Sequence, residues 1–146
     1  MQPFRKVSSF MTGPARAPRT RDWVERAEHD LRTAEHTLTL VDDCPFDTVC
    51  FHAQQCAEKY LKGLLTARGI GFRSIHNLIE LFRLLPQPDQ AVLTSLRLDV
   101  LNPYIIEGRY PTGEDPLDRP EAETAVAIAR EIREAVRALL PADAHP

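Results

Sequence analysis

One stretch of the sequence places polar side chains at regular helical spacing. His52, Gln55, Lys59 and Lys62 follow one another at intervals of three, four and three residues, so on a helix they form a single stripe. Glu58 lies alongside that stripe. Lys59 and Lys62 could bind one phosphate group together, each charge-assisted hydrogen bond contributing about 1.5–3 kcal/mol when it is partly desolvated. A solvated lysine face is the alternative interpretation.

His76 is the second candidate for chemistry. It stands at or just before the start of a predicted short helix and follows a segment rich in cations. An imidazole can donate a hydrogen bond to phosphate or ribose, and it can act as a general acid or base because it exchanges its proton near neutral pH. A neutral histidine that caps the helix is the alternative. Glu58 could orient His76 or pair with the neighbouring lysines.

Arg109 and Tyr110 form a third candidate group. They follow Gly108 and precede Pro111, a combination typical of a rigid turn that holds side chains in a fixed direction. An arginine can bind phosphate through two parallel hydrogen bonds, and a tyrosine ring can stack on a base. The alternative is that Arg109 ties its loop to the bundle through an ion pair with Glu58.

Other kinds of site are not indicated. The sequence has no glycine-rich phosphate loop and no Ser/His/Asp arrangement, so we expect no cofactor. Cys44, Cys50 and Cys56 are an odd number of cysteines in a chain without an export signal, which favours reduced thiols. Helical residues six apart point about 240° from each other, so we expect no metal at these cysteines either.

Charge is distributed unevenly along a chain whose net charge is −3. Residues 1–21 carry five cations and no acid, and the remaining chain is acidic. One internal segment is an exception: between Asp47 and Glu80 the only acid is Glu58, against four cations, Lys59, Lys62, Arg68 and Arg73. Such a basic patch would attract an anionic ligand despite the negative net charge.

Length and composition predict one folded domain. The chain has 146 residues, of which 43% are hydrophobic and 27% charged, which is ordinary for a globular protein. Residues 1–20 show no sustained apolar period and are predicted to be a flexible basic tail, and residues 21–142 are predicted to be the domain. No stretch is apolar enough for a membrane span or a secretory signal, so we expect a cytoplasmic protein.

Helical periodicity must position these candidates. Asp22 is predicted to cap a first helix, and further helices are predicted over residues 48–68, 77–85 and 89–101, with a last helix beginning near Pro120. No strand-like alternation appears. The predicted fold is therefore an all-α, up-and-down antiparallel bundle of four to five helices.

Three sequence blocks together carry a resemblance to a known family. They are the run FHAQQCAEKYLK at residues 51–62, the block HNL at residues 76–78 and the block GRYP at residues 108–111. Their order resembles that of the HEPN domain family over residues 22–140. The resemblance implies a helical bundle that forms a homodimer, with polar residues lining a cleft that binds nucleotides or acts on RNA. It also implies a minimal nucleotidyltransferase as partner, often in a toxin–antitoxin pair.

The resemblance leaves the activity open. Ribonuclease branches of the family use an arginine followed four to six residues later by a histidine on a single helix, and this chain has no such pair: Arg73 is too close to His76 and Arg68 too far from it. A metal-independent ribonuclease would therefore need His76 and Arg109 to converge. The main hypothesis is a dimeric, nucleotide- or RNA-binding helper of a nucleotidyltransferase, and a further alternative is a pure protein-interaction module. Phe51 and His52 are expected at the dimer surface.

Overall fold

The computed structural model describes residues 17–105 and 116–146. Within these two ranges the chain forms six α-helices and two short 3₁₀ turns and no strand. The helices are α1 (Thr20–Leu38), α2 (Phe46–Ala67), α3 (Leu78–Arg83), α4 (Gln87–Leu93), α5 (Leu98–Leu101) and α6 (Arg119–Leu139), and the 3₁₀ turns are Asn102–Ile105 and Ala142–Ala144. The prediction of an all-helical bundle is confirmed.

Ion pairs show how the long helices run. Arg133 Nε of α6 lies 2.7 Å from Glu28 Oε2 of α1, whereas Arg130 Nε lies 2.6 Å from Glu35 Oε2, so α1 and α6 are antiparallel. Arg68, at the end of α2, donates to the carbonyl oxygen near the end of α6. The second and sixth helices therefore run in the same direction.

The short helices make the return pass between α2 and α6. Asp89 of α4 binds Arg68 at the carboxyl end of α2, and Tyr104 lies in hydrogen-bond contact with Cys50 near its amino end. The chain therefore passes up, down, up and down, with the third pass divided among short elements.

The second helix forms the centre of the bundle. It packs mainly against α1 and α6, and it buries side chains around most of its circumference, including the polar Gln54, Glu58 and Lys62. The outer two long helices are amphipathic instead and bury one stripe each, namely Val24, Ala27, Leu31 and Ala34 on α1 and Ala122, Ala125, Ala129, Ile132 and Val136 among others on α6.

The predicted start of the first helix is wrong by three residues, because the cap is Arg19 and not Asp22. The helix begins at Thr20, and Asp22 lies inside its first turn, where its Oδ2 accepts a hydrogen bond from Arg19 N at 2.8 Å. An apolar stripe that starts at Val24 indicates the buried face but does not locate the first turn. The second helix likewise begins at Phe46, two residues before the predicted start.

The predicted fourth helix is two helices in the structure. Residues 94–97 separate α4 from α5, although the sequence predicted one helix over 89–101. Leu93 and Leu98 are both buried, yet five positions along a straight helix would point them about 140° apart. The break lets both side chains reach the core. The predicted end of this segment at residue 101 is confirmed, since α5 stops at Leu101.

Side-chain caps fix the loops that lead into α3 and α6. Asn77 caps α3 by accepting hydrogen bonds from Ile79 N at 2.9 Å and Glu80 N at 3.1 Å, which fixes the chain immediately after His76. Asp118 caps α6 by accepting a hydrogen bond from Glu121 N at 2.9 Å.

None of the helices in the described part of the chain combines the length and the apolar character that a membrane crossing needs.

Candidate functional site

A buried carboxylate on α2 holds an exposed imidazole. Glu58 Oε2 lies 3.0 Å from Nδ1 of His76, and the Glu58 side chain is only 4% exposed whereas that of His76 is 57% exposed. The loop between α2 and α3 carries His76 to this position, and the Asn77 cap ends that loop. One ring nitrogen is thus fixed by the protein while the ring itself faces solvent.

Two glutamines complete the support beneath His76. The Gln54 amide, fully buried, donates to the carbonyl oxygen of His76 at 3.3 Å. Gln55 Nε2 donates to Gln54 Oε1 at 2.8 Å and to Glu58 Oε1 at 3.3 Å. Both the backbone and the side chain of His76 are therefore anchored to one segment of α2.

Lys62 lies behind Glu58 and away from solvent. Its Nζ donates to Glu58 Oε2 at 2.9 Å, and its side chain is 7% exposed. The ammonium also lies 5.5 Å from the ring centre of Trp23 and 5.6 Å from that of Phe72, distances typical of cation–π contacts. The contacts of Lys62 are therefore with the protein interior.

A second cluster on α2 has the same construction. Asp30 of α1 is buried, and its Oδ1 lies 2.8 Å from Nδ1 of His52. Its other oxygen accepts a hydrogen bond from Lys59 Nζ. His52 is 25% exposed, and its ring packs edge-on against Phe51 at a centroid distance of 5.3 Å.

The structure does not bring the two predicted lysines onto one anion site. Lys59 is bound to Asp30, and Lys62 is bound to Glu58, so each lysine is paired with a different carboxylate. Lys62 is buried, so the interpretation of both lysines as one solvated face is wrong for Lys62. α1 and the α2–α3 loop pack over α2 and cover side chains that an isolated helix would expose.

The basic patch seen in the sequence is largely neutralised. Arg68 binds Asp89 through two contacts, Nε to Oδ2 at 2.7 Å and Nη2 to Oδ1 at 2.9 Å, in addition to the pairs formed by Lys59 and Lys62. Within residues 17–105 and 116–146, Arg73 has no ion-pair partner and is exposed. Arg73, three residues before His76, is therefore the cation of this patch that stays free within those ranges.

The remaining predicted site residues, Arg109 and Tyr110, lie outside the described residues. The alternative pairing of Glu58 with Arg109 therefore stays a prediction, and within the described ranges Glu58 binds Lys62, His76 and Gln55. The expectation that Glu58 orients His76 agrees with the geometry.

Sequence reasoning missed several residues of this region. Asp30 borders the apolar stripe of α1, one position before Leu31, and an acid so close to a buried stripe was the available signal. No such signal pointed to the two rings that flank Lys62, those of Trp23 and Phe72, whose centres lie 5.8 Å apart. Only the tertiary fold brings α1 and the loop after α2 together.

A separate polar cluster joins α1, α2 and α6. Glu28 accepts hydrogen bonds from Tyr60 Oη and from Arg133 Nε, and Arg137 approaches to 4.0 Å. Burial alone would raise the pKa of Glu28, but the hydrogen bonds and charges of these partners outweigh it and lower that pKa. Burial together with the hydrogen bond to Glu28 raises the pKa of Tyr60. This cluster acts as a structural clamp between three helices.

The cysteines offer no reactive thiol in the core. Burial, followed by the charge of Glu121, raises the pKa of Cys50 to about 12, and burial raises that of Cys56 well above its ordinary range. Cys44 is half-buried and donates to the Thr37 carbonyl at 3.3 Å. The described ranges also contain no cluster of three or more potential metal ligands.

A shallow groove of about 340 Å³ lies on the opposite edge of α1, between α1 and α6. Its charged lining residues are of both signs, and the pairs Glu35–Arg130 and Glu28–Arg133 span it. A groove whose charges bind one another is a weak candidate for an anionic ligand. The carboxylate-held histidines are therefore the better candidate site.

Comparison with known proteins gives one consistent result. The sequence pattern of the HEPN domain matches residues 20–139. The crystal structure of a Thermus thermophilus protein is similar at 34% identity and a TM-score of 0.67, over 85% of this chain and 100% of that one. An archaeal HEPN homologue is similar at 27% identity and a TM-score of 0.67, over 86% of this chain and 100% of that one. The search of curated proteins gave no match.

Proposed function

Because this chain belongs to the HEPN domain family, we propose that it is a nucleotide- or RNA-binding module that works as a homodimer beside a minimal nucleotidyltransferase. The observation that carries the proposal is the exposed imidazole of His76, which Glu58 holds at 3.0 Å and Gln54 anchors through the backbone. His76 follows three residues after Arg73, an exposed arginine without an ion-pair partner in residues 17–105 and 116–146, and a fixed, exposed imidazole is suited to phosphate or ribose.

The proposed ligand site consists of His76 with Arg109 and Tyr110, supported by Glu58 and Gln55. Arg109 would bind phosphate and Tyr110 would stack on a base. In the sequence both residues follow Tyr104, which contacts Cys50 on α2, eight residues before Glu58.

In the proposed site Lys59 and Lys62 do not bind one phosphate together. Because each is bound to a carboxylate, they would support the site by holding the side chains of Asp30 and Glu58 in position. Lys59 keeps a partly exposed side chain and can still attract phosphate. Lys62 would act through Glu58 on His76.

Titration calorimetry with uridine and adenosine monophosphates tests the site. His76→Ala and Arg109→Ala should each weaken binding by about tenfold or more, since one charge-assisted hydrogen bond contributes that much. Arg83→Ala, an exposed arginine on α3, is the matched control and should bind as the wild type does. Lower melting temperatures without any loss of affinity would assign His76 and Arg109 to structure and contradict the site.

The dimer and the partner have their own tests. Phe51 stays partly exposed on α2 although it is a large aromatic residue, which supports an interface there. Sedimentation at micromolar concentration should give twice the chain mass of 16.5 kDa, and a monomer would contradict the dimer. A small nucleotidyltransferase encoded beside this chain should co-purify with it, and the absence of such a gene would contradict the helper role.

A metal-independent ribonuclease is the second candidate function. A carboxylate that binds Nδ1 leaves Nε2 free to take a proton from a ribose hydroxyl, which is the arrangement of a general base. Incubation of the full chain with a uridine oligonucleotide in the presence of EDTA tests it. Cleavage that disappears in His76→Ala and Arg109→Ala would favour this candidate, and intact RNA at equal occupancy would favour plain binding.

A further inference from the structure

The side-chain amide of Gln55 has one orientation that satisfies its neighbours. The Gln54 amide nitrogen donates to the His76 carbonyl oxygen at 3.3 Å, which leaves the Gln54 amide oxygen to accept. Gln55 Nε2 lies 2.8 Å from that oxygen and 3.3 Å from Oε1 of Glu58. An amide oxygen and an ionised carboxylate oxygen only accept hydrogen bonds. A reversed Gln55 amide would bring three acceptors together, so its nitrogen points inward.

The fixed orientation determines what Gln55 offers to a ligand. Both hydrogens of its amide are used inside the protein, one on Gln54 and one on Glu58. Its oxygen Oε1 receives no hydrogen bond from residues 17–105 and 116–146, and Gln55 is partly exposed. A glutamine that is free to rotate can present either a donor or an acceptor, whereas Gln55 presents an acceptor only.

This acceptor lies close to the imidazole of His76. Gln55 Nε2 contacts Oε1 of Glu58 at 3.3 Å, and His76 Nδ1 contacts Oε2 of the same carboxylate at 3.0 Å. Because a carboxylate joins its two oxygens through bonds of about 1.2 Å, the two nitrogens lie at most about 9 Å apart. One nucleoside is comparable in length, so a single ligand can contact both groups.

A fixed acceptor distinguishes the bases by one group. Adenine N6 and cytosine N4 are amino groups that donate hydrogen bonds, whereas the corresponding guanine O6 and uracil O4 are acceptors. When two acceptors face each other away from water, both lack a hydrogen and the affinity falls. The Gln55 amide cannot turn over to relieve this, because Gln54 and Glu58 hold its nitrogen.

We propose that Gln55 is a specificity-determining residue of the His76 site, which selects a nucleotide whose base is adenine or cytosine through its exocyclic amino group. The inference rests on the proposed function, since it takes nucleotide binding at His76 as its starting point. Oε1 of Gln55 accepts from the amino group while the His76 ring contacts the ribose or phosphate. Gln54 and Glu58 are positioning residues that hold the Gln55 amide.

Titration calorimetry on the full-length chain compares adenosine monophosphate with purine riboside monophosphate, which lacks only the amino group. The wild type should bind the adenosine nucleotide about tenfold more tightly, which corresponds to one hydrogen bond. Gln55→Met removes the acceptor at a similar side-chain length and should bind both nucleotides equally. Gln87→Met, at an exposed glutamine on α4, is the matched control and should keep the wild-type ratio.

The ratio of the two affinities separates recognition from loss of folding. If Gln55→Met only distorts the site, it should weaken both nucleotides equally and keep the tenfold ratio, which would overturn the inference. Equal affinities in the wild type would also overturn it, while weaker binding of both nucleotides by His76→Ala would still support the proposed function. If the wild type binds neither nucleotide, the proposed function fails together with the inference.

The pyrimidine nucleotides provide a second, independent comparison. The wild type should prefer cytidine monophosphate to uridine monophosphate, because the two bases differ at the position of the amino group. Gln55→Met should lose this preference, and Gln87→Met should retain it. A wild-type preference for uridine or guanosine monophosphate would mean that a donor faces the base, and it would overturn the assigned orientation of the Gln55 amide.

Discussion

Nδ1 of His76 lies 3.0 Å from Oε2 of Glu58, although the two residues are 18 positions apart and on different elements. The same oxygen lies 2.9 Å from Lys62 Nζ. A single buried carboxylate oxygen therefore serves a cation inside the protein and an imidazole at its surface. Because Glu58 sits in the middle of the central helix, the position of His76 depends on the packing of the whole bundle.

Gln54→Leu should loosen the loop that carries His76. The leucine removes a fully buried amide that donates to the His76 carbonyl, and we expect a loss of about 1–2 kcal/mol in unfolding free energy. Amide hydrogen exchange should rise in residues 69–77 while α6 stays protected. Urea unfolding and exchange of Gln87→Leu, an exposed glutamine on α4, provide the control. Unchanged exchange in the loop would show that Glu58 alone holds His76.

The long helices could be predicted because burial requires one apolar face. The stripes of α1 and α6 repeat at three- and four-residue intervals, and both helices were predicted from them. The break between α4 and α5 could not be predicted from the sequence, because it depends on where the core lies relative to Leu93 and Leu98. A one-dimensional pattern contains no information about that direction.

The site was predictable in its residue types but not in its pairings. Glu58 and His76 were identified as candidates, and the sequence even suggested that one could orient the other. Lys59 and Lys62 were assigned to one phosphate site because they share a face of an isolated helix. That reasoning ignores what packs over the helix. Asp30 and the rings around Lys62 come from other elements, so only the fold reveals that each lysine has its own carboxylate.

Acid should weaken the clamp around Glu28. Its folded pKa is lowered, so its contribution to stability is present above the unfolded pKa of about 4.3 and is lost as pH falls through the folded value. Glu28→Gln should be about 1–2 kcal/mol less stable than the wild type at pH 7, and the difference should shrink below about pH 4. Urea unfolding across pH measures this, with the exposed Glu123→Gln as control. A difference that is constant with pH would contradict it.

Thiol reagents should distinguish the three cysteines. Burial raises the pKa of Cys50 to about 12 and keeps Cys56 protonated, so neither supplies thiolate at neutral pH. We expect Ellman's reagent to react in the folded protein with Cys44 before the other two, and Cys44→Ser to abolish that early reaction. Cys50→Ser should retain it, and all three should react in urea. Early reaction that persists in Cys44→Ser would contradict the buried assignment.

The ion pair between Glu58 and Lys62 should show strong coupling, because both side chains are almost completely buried. Glu58→Gln and Lys62→Met each leave a buried charge without its partner, and each should lower the unfolding free energy by about 2–4 kcal/mol. The loss in Lys62→Met should lie toward the lower end of this range, because His76 still contacts Glu58. The double variant removes both charges, so its loss should be smaller than the sum of the single losses by at least about 1 kcal/mol.

The exposed pair Glu35–Arg130 provides the matched cycle. Its side chains are 37% and 56% exposed, so its coupling measured in the same way should stay below about 1 kcal/mol. If the losses of unfolding free energy in the two single variants add up in the double variant, water or another group already screens the Glu58–Lys62 pair. Lys62 could then leave Glu58 to bind a phosphate. Strong coupling would instead confine Lys62 to the interior, and His76 would remain the member of this cluster that faces a ligand.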